Sequence, residues 1–495
     1  MDLFSDRGDI QFLSRYEMQD ISKKKQEEVN LKKLFAIILS MALLTGLLAG
    51  CNGKQATSSS NSSSASISNS VSISALPVSI SLWIMPLYET FIDTVKAKLP
   101  AAIKAVYPNI TLNTELLSWD AGPEKLTVAM ATNTTPDFMQ DGLSRLASGI
   151  TAGLCADVTD LMGKLKPIIL EGFLKEGMKD GKNYYVPTNT SNGYDFCVNS
   201  TLAKELNVYD LLPADKIHWS YDQFLNFCRK ATAAGKSKGV YATQLWAGSR
   251  SSDAVYYSFL MSGGSKITDM SKKPPVVAAN TATAEASLNV LKTLIDEKLV
   301  PDGAATTKDE GVDPNFESGK LVLLFDTAGA QECITVYNKA KTGDIKGFAT
   351  EIIQIPTPDG KADPYVASFG TSGFVVFKNS NDAAKIQAAK NAIEIWTKTP
   401  EIGTEVSLKG GAASTLNNIT LDYGDATLNA QVKFASEANA KYSHSDIGIL
   451  EGWWSSFRET FYVQLQGIYT GTKTVKQALS DWETTGNAAI AKAFK

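Results

Sequence analysis

Two hydrophobic periods alternate along the chain from Pro77 to the C-terminus, and this constrains the fold more than any other feature. Residues 78–84 alternate apolar and polar side chains as a strand does, and Met85-Pro86 ends the run. Over 88–106 the apolar positions Phe91, Ile92, Val95, Leu99, Ile103 and Val106 then recur at helical spacing. Pro100 predicts a break or kink in that helix. A turn at Tyr107-Pro108-Asn109 leads into an alternating strand over 110–114, a helix over 125–132 and a short buried strand over 136–139. Further helices are expected over 201–206, 221–234, 284–299, 383–397 and 474–491, with strands over 321–325 and 373–377. Strand and helix in alternation imply an α/β fold of parallel or mixed sheets covered by helices. No period of 20–50 residues repeats, which excludes a solenoid.

With 495 residues, the chain is long enough for two or three domains, each with its own core. Its 48 Lys+Arg stand against 52 Asp+Glu, a net charge of −4 that offers no basic face to a nucleic-acid backbone. The two histidines, His218 and His444, narrow the enzymatic possibilities. A His-Glu-x-x-His zinc site is absent, and a Ser–His–acid relay would have to use one of the two.

The N-terminal segment reads as an address. Residues 34–48 form an uncharged apolar run behind Lys32 and Lys33. The run is short for a bilayer span of about 20 residues and suits the h-region of a secretory signal. Leu48-Ala49-Gly50-Cys51 follows and resembles the lipobox of bacterial lipoproteins, in which the cysteine is acylated and the peptide is cut just before it. A plain membrane anchor with an incidental cysteine is the blander reading. Two acyl chains on Cys51 would supply the paired signals that stable attachment needs. Residues 1–28 fit no signal peptide, because Lys23-Lys24-Lys25-Gln26-Glu27-Glu28 is a mixed-charge run, so translation is expected to start at Val29 or Met18. The serine-rich stretch to Ser74 is too polar to bury a core and is expected to be a tether, although Ile67, Val71 and Ile73 would also suit a strand. Cys155, Cys197, Cys228 and Cys333 show no CxxC spacing and are expected to be free and buried.

A series of short segments, in order, carries a family likeness. They include Tyr107-Pro108-Asn109-Ile110, Thr135-Pro136-Asp137-Phe138, Ala156-Asp157-Val158-Thr159-Asp160-Leu161 and the run Asp180-Gly181-Lys182-Asn183-Tyr184-Tyr185-Val186-Pro187. Val198-Asn199-Ser200-Thr201-Leu202, Trp219-Ser220-Tyr221-Asp222-Gln223-Phe224, Glu317-Ser318-Gly319-Lys320, Gly370-Thr371-Ser372-Gly373 and Val475-Lys476-Gln477-Ala478-Leu479 continue it. With the lipobox ahead of them, they resemble the extracellular solute-binding proteins of bacterial ABC importers, the carbohydrate-leaning group that contains maltose-binding protein. One departure stands out. Where the family commonly presents an aromatic in a Gly-x-Trp after Gly319-Lys320, this chain has Phe325-Asp326-Thr327-Ala328-Gly329-Ala330.

The resemblance implies a two-lobed periplasmic-binding-protein-like fold of type II, with a ligand cleft between hinged lobes. Lobe one is placed at 76–188 plus 367–418, and lobe two at 189–366 plus 419–495, behind a signal peptide over 1–50 and a lipidated tether over 51–75. It further implies a monomeric, lipid-anchored receptor on the extracellular face of a membrane, of Gram-positive type, that delivers a carbohydrate to the transmembrane subunits of an ABC permease. No catalysis, cofactor, metal or nucleic acid is expected. Two alternatives stay open: the same receptor for a peptide, polyol or other non-sugar solute, and a surface-tethered glycoside hydrolase or lyase.

Open α/β sheets bind ligands at the carboxyl ends of their strands, so cleft residues are sought after strands of both lobes. Lobe one offers Tyr88 after the first strand, with Gln140 and Asp141 after the Thr-Pro-Asp strand, although Asp141 also suits a helix start. Thr371 and Ser372 lie between glycines and suit an ordinary turn equally well. In lobe two, Trp453-Trp454 falls where the maltose binder has a stacking tryptophan. Adjacent residues on a helix point about 100° apart, so at most one of the pair is expected in the core. Trp246 and Arg250 share a polar loop, Asn192 and Tyr194 lie at the first hinge crossing, and Asp326 ends a strand. His218 is expected to be structural and His444 a surface residue.

Other chemistries find no footing. Gly235-Lys236-Ser237 lacks the leading glycine of a phosphate loop, since position 230 is Lys. The start of a calcium loop at Asp313 is spoiled by Pro314 and by Ser318 in place of the turn glycine. No Gly-x-Ser-x-Gly elbow occurs, and 52 acids single out no glycosidase pair.

Overall fold

The computed structural model describes residues 76–119, 121–190, 195–326, 329–367, 370–378, 381–444, 447–449 and 451–494. The expected roles of Cys51, Asn192 and Tyr194, the tether and the signal segment fall outside them.

Strand β1 (Val78–Ile84) leads to helix α1 (Phe91–Val106), and β2 (Ile110–Leu116) to α2 (Gly122–Thr132). Next come β3 (Phe138–Gly142) with α3 (Leu143–Thr151), and β4 (Val186–Thr190). The chain then builds β5 (Phe196–Asn199), α4 (Tyr221–Gly235), α5 (Ser252–Ser262), α6 (Ala282–Asp296), β6 (Leu323–Leu324), α7 (Gly329–Thr342) and β7 (Thr350–Ile353). Strand β8 (Thr371–Val376) follows, with α8 (Ala383–Lys398) and α9 (Pro400–Gly410). Helices α10 (Ala426–Tyr442), α11 (Trp454–Arg458) and α12 (Val475–Lys492) complete the chain.

The larger sheet has the order β2–β1–β3–β8–β4. Strands β2 and β3 run parallel to β1, while β8 is antiparallel to both its neighbours. Alternation along β8 serves both faces of this sheet: Phe374 and Val376 join the core under α1, α8 and α9, while Val375 packs on the other face with Met139 and Leu146. Trp396 centres the first of these cores, edge-on to Phe374 at 5.1 Å and Phe91 at 6.2 Å. The smaller sheet is β6–β5–β7, with antiparallel pairs. Its core runs from Phe196 to Ala367 and resumes from Leu428 to Ile490. The chain thus passes from one core to the other after β4, returns before β8, and leaves again between Leu416 and Leu428.

Local differences from the sequence expectations have physical causes. Helix α1 runs through Pro100; the carbonyl deprived of its partner belongs to exposed Lys96, where water can serve it. The strand expected over 321–325 shrinks to Leu323–Leu324, because Val322 donates its N–H to Tyr241 and accepts from Asn199 instead. All four described cysteines are buried and free of disulfides, with the sulfurs of Cys197 and Cys333 3.6 Å apart.

Gly373 marks the tightest point of the larger sheet, where the β8–β4 register shifts. A Cβ there would lie 2.1 Å from the carbonyl oxygen of Val186. Gly373→Ala is therefore expected to cost about 2–3 kcal/mol through overpacking, read as a lowered urea midpoint. An unchanged midpoint would contradict this close approach.

Candidate functional site

A cavity of about 320 Å³ lies between the two cores. The loops after β1 and β2, and the first turn of α3 directly after β3, form one wall, through Leu87, Trp119 and Ser144-Arg145. Trp246, Asp313, Asp326 and Arg458 form the other. An outer trough of about 470 Å³ shares Trp119, Ser251 and Asp309 with it and extends past Arg250 to Tyr462. The walls meet on either side, where α11 touches α3 and α7 touches α9. Gly411 permits the second approach: it holds φ +68°, and a Cβ would sit 2.5 Å from the backbone of Gln331.

Each cationic side chain on the inner cavity holds a carboxylate of its own. The Arg145 Nε donates to both oxygens of buried Asp141 at 2.8 Å, and its guanidinium stacks 4.7 Å from the centre of the Trp119 ring. Asp141 and the stack fix the arginine, and the arginine in turn holds the indole at the cavity edge. Across the gap, Arg458 makes a two-pronged pair with Asp253 at 2.6 and 2.7 Å, both side chains being buried. On the same wall Trp246 is buried, and its indole N–H donates to the carbonyl of Phe325 at 3.3 Å.

The acids behave differently. Asp326 and Asp313 face each other closely enough for one to donate to the other. Burial comes first among the causes that push both carboxyls upward, followed for Asp326 by the neighbouring charge of Asp313. Asp313 reaches about 6. Behind them Glu332 is raised as well, by burial and then by Asp313. Asp195, just before β5, accepts from the Gly329 N–H at 2.7 Å and from Gln354 at 3.1 Å, so it anchors the first turn of α7. Among the described residues no group of three or more His, Cys, Asp or Glu is placed to hold a metal ion.

Of the residues singled out by sequence, Trp246, Asp326 and Ser372 line the inner cavity and Arg250 the outer trough, where it pairs with Glu459 at 2.7 Å. Tyr88 packs edge-on against Phe91, behind Gly410. Gln140 is buried with neither amide atom bonded, and Thr371 is turned inward toward Glu176 and Tyr185. Trp453 and Trp454 are both buried in the aromatic core around Phe457 and Trp482, and neither is among the residues of this cavity. The expectation that at most one of the pair is core is thereby corrected. Trp453 precedes α11 and Trp454 opens it, so the lobe packs around the end of a five-residue helix rather than against one face of a long one. Sequence reasoning missed Trp119 and Arg145. The signal was present in Trp119, a large aromatic just past the end of an alternating strand and before Pro123.

Comparison with known proteins agrees with this architecture. The family of bacterial extracellular solute-binding proteins matches over residues 88–394, more than half of the chain. The chain belongs to that family. Proteins of Brucella abortus and Brucella suis described as binding proteins are 26% identical to this solute-binding protein over 224 residues, 45% of this chain and 52% of theirs. The chain thus spans about half the length of the curated relatives it matches. Among solved structures, the GacH receptor of Streptomyces glaucescens, determined unliganded and with acarbose, superposes with a TM-score of 0.67 at 15% identity, covering 84% of this chain and 99% of that one. Maltose-bound MalE3 of T. maritima gives 0.68 at 18%, covering 82% and 98%. A substrate-binding protein of Listeria monocytogenes in complex with cycloalternan gives 0.68 at 16%, covering 84% and 99%. These superpositions establish the fold, a two-lobed type II periplasmic-binding-protein architecture.

Asp195 generates a pH prediction. Burial lifts its carboxyl from 3.8 to about 7 in the folded chain. A raised value means that the contribution to stability is complete below about pH 4 and is lost as pH rises through 7. Asp195→Asn should remove roughly 3–4 kcal/mol of that loss and flatten the fall in unfolding free energy across the window. An identical pH profile in variant and wild type would refute the assignment.

Proposed function

We propose that this protein is the capture receptor of an ABC importer for a sugar or oligosaccharide. One observation carries the reading: a cavity between two cores combines flat indoles with buried carboxylate acceptors. Aromatic faces cover the apolar face of a sugar ring, while fixed acceptors take its hydroxyl protons. Trp119 stands where inner cavity and outer trough join, so a chain of several sugar units has a continuous path past it. The similar proteins solved with maltose, acarbose and cycloalternan support a saccharide for this chain too.

Capture is coupled to closure. Lobe one (76–188 plus 367–418) and lobe two (189–366 plus 419–495) exchange between open and closed arrangements, and a ligand touching both walls favours the closed one by its differential affinity. A micromolar dissociation constant, about −8 kcal/mol, serves both scavenging and release. The lipobox at Leu48-Ala49-Gly50-Cys51 supports acylation of Cys51 and attachment at the outer face of the membrane. No helix among the described residues is long and apolar enough to cross a membrane. The receptor works as a monomer without chemical change to its ligand, and the closed form is what the permease recognises.

Trp119→Ala should weaken saccharide binding by about tenfold to a hundredfold in calorimetry while leaving the melting midpoint near wild type. Trp454→Ala should instead cost about 3–5 kcal/mol of stability, because it empties a core site. The opposite pattern would move the stacking platform to Trp454. Small-angle scattering should show compaction when saccharide is added, and binding without compaction would end the closure account.

A further inference from the structure

The wall that the second core turns to the cavity is rich in carboxyl groups. Asp309, Glu310, Asp313 and Asp326 line it, and Glu332 is buried behind it. The arginines of the same cavity do not balance Asp313 and Asp326, because Arg145 is engaged by Asp141 and Arg458 by Asp253. Lys339 on α7 is engaged by Glu317 at 2.7 and 2.9 Å. Asp326 is 7% exposed, and one of its oxygens meets no donor; Asp313 has a second such oxygen. Independently, Ser144 on the opposite wall is 4% exposed, lines the same cavity, and leaves its hydroxyl without a partner. Buried polar groups of this kind carry a desolvation cost that a ligand removes on arrival.

A neutral sugar hydroxyl would satisfy the acceptors and leave the charge. An ammonium satisfies both, with several N–H donors and a positive charge. Among the described residues these acids form no group of three placed to hold a metal ion, and the proposal takes an organic cation. We propose that the ligand of this cleft is a saccharide bearing a basic nitrogen, and that Asp326 and Asp313 receive its ammonium while Ser144 bonds the same ligand from the facing wall. The inference rests on the saccharide-receptor reading and narrows it to amino sugars and their oligomers.

The test is calorimetric titration of the full chain with matched saccharides that differ in one substituent. Glucosamine, N-acetylglucosamine and glucose, each as the monomer and as β-1,4-linked dimers to tetramers, form the main set. Galactosamine, mannosamine and malto-oligosaccharides extend it, and calcium chloride alone is a further arm. The expected result is at least one amine-bearing ligand bound about tenfold or more tightly than its acetamido and hydroxyl counterparts, the scale of a charge-assisted over a neutral hydrogen bond. Asp326→Asn should reduce that preference to within about threefold, because it weakens the amine far more than the neutral sugars. Asp313→Asn provides the same readout if the first variant fails to fold, as judged by circular dichroism. Neutral sugars bound with no preference for the amine would overturn the inference and leave the receptor reading intact. Failure of every saccharide to bind would overturn both. An amine preference that survives in both variants, or calcium stabilisation matching that of the amine, would also overturn the assignment.

Discussion

The structure depends on one strand that returns. Strand β8 comes back from the second core and inserts antiparallel between β3 and β4, so the larger sheet is complete only after the chain has already built most of the other half. This non-sequential pairing requires loop closure over a long stretch, and it ties the two halves into one unit. It also places the start of β8, at Gly370 and Ser372, against the loop that follows β1 and the first turn of α3. The cavity lies where it does because strand ends from separate parts of the sequence converge there.

Charge is arranged as deliberately as the backbone. The guanidinium groups at the cavity are locked by neighbours from their own half, Arg145 by Asp141 and Arg458 by Asp253. Such pairs fix geometry more than they add net stability, since burial of both partners consumes much of the Coulomb gain. They hold the cavity walls in shape, while Asp313 and Asp326 each keep an oxygen without a donor. Carboxyls retained without balancing cations in a buried place are costly, and sites with such strain are commonly functional ones.

Much of the architecture was legible because its signals are local. The alternation in 78–84 and the helical spacing from Phe91 to Ile103 are each written within a few residues. The cavity was legible only in part. Trp246, Asp326, Ser372 and Arg250 could be picked out as polar-loop or strand-end residues, and the structure places them on the cavity or its trough. The tryptophan pair could not be read, because whether Trp453 and Trp454 face a ligand or a core is decided by Tyr257, Phe461 and Trp482, which lie far away in sequence. Arg145 was overlooked because its importance comes from stacking on Trp119, a contact between the start of α3 and the loop after β2.

The distribution of indoles has an optical consequence. The chain contains eight tryptophans, of which Trp219, Trp246, Trp396, Trp453, Trp454 and Trp482 are buried. Only Trp119 and Trp246 border the inner cavity. Emission from the whole chain is therefore dominated by rings sealed inside the two cores, and a ligand's quenching or blue shift rides on a large constant background. Replacing the core rings of the second half with phenylalanine, one at a time, would turn a muted spectrum into a direct optical report from the cleft.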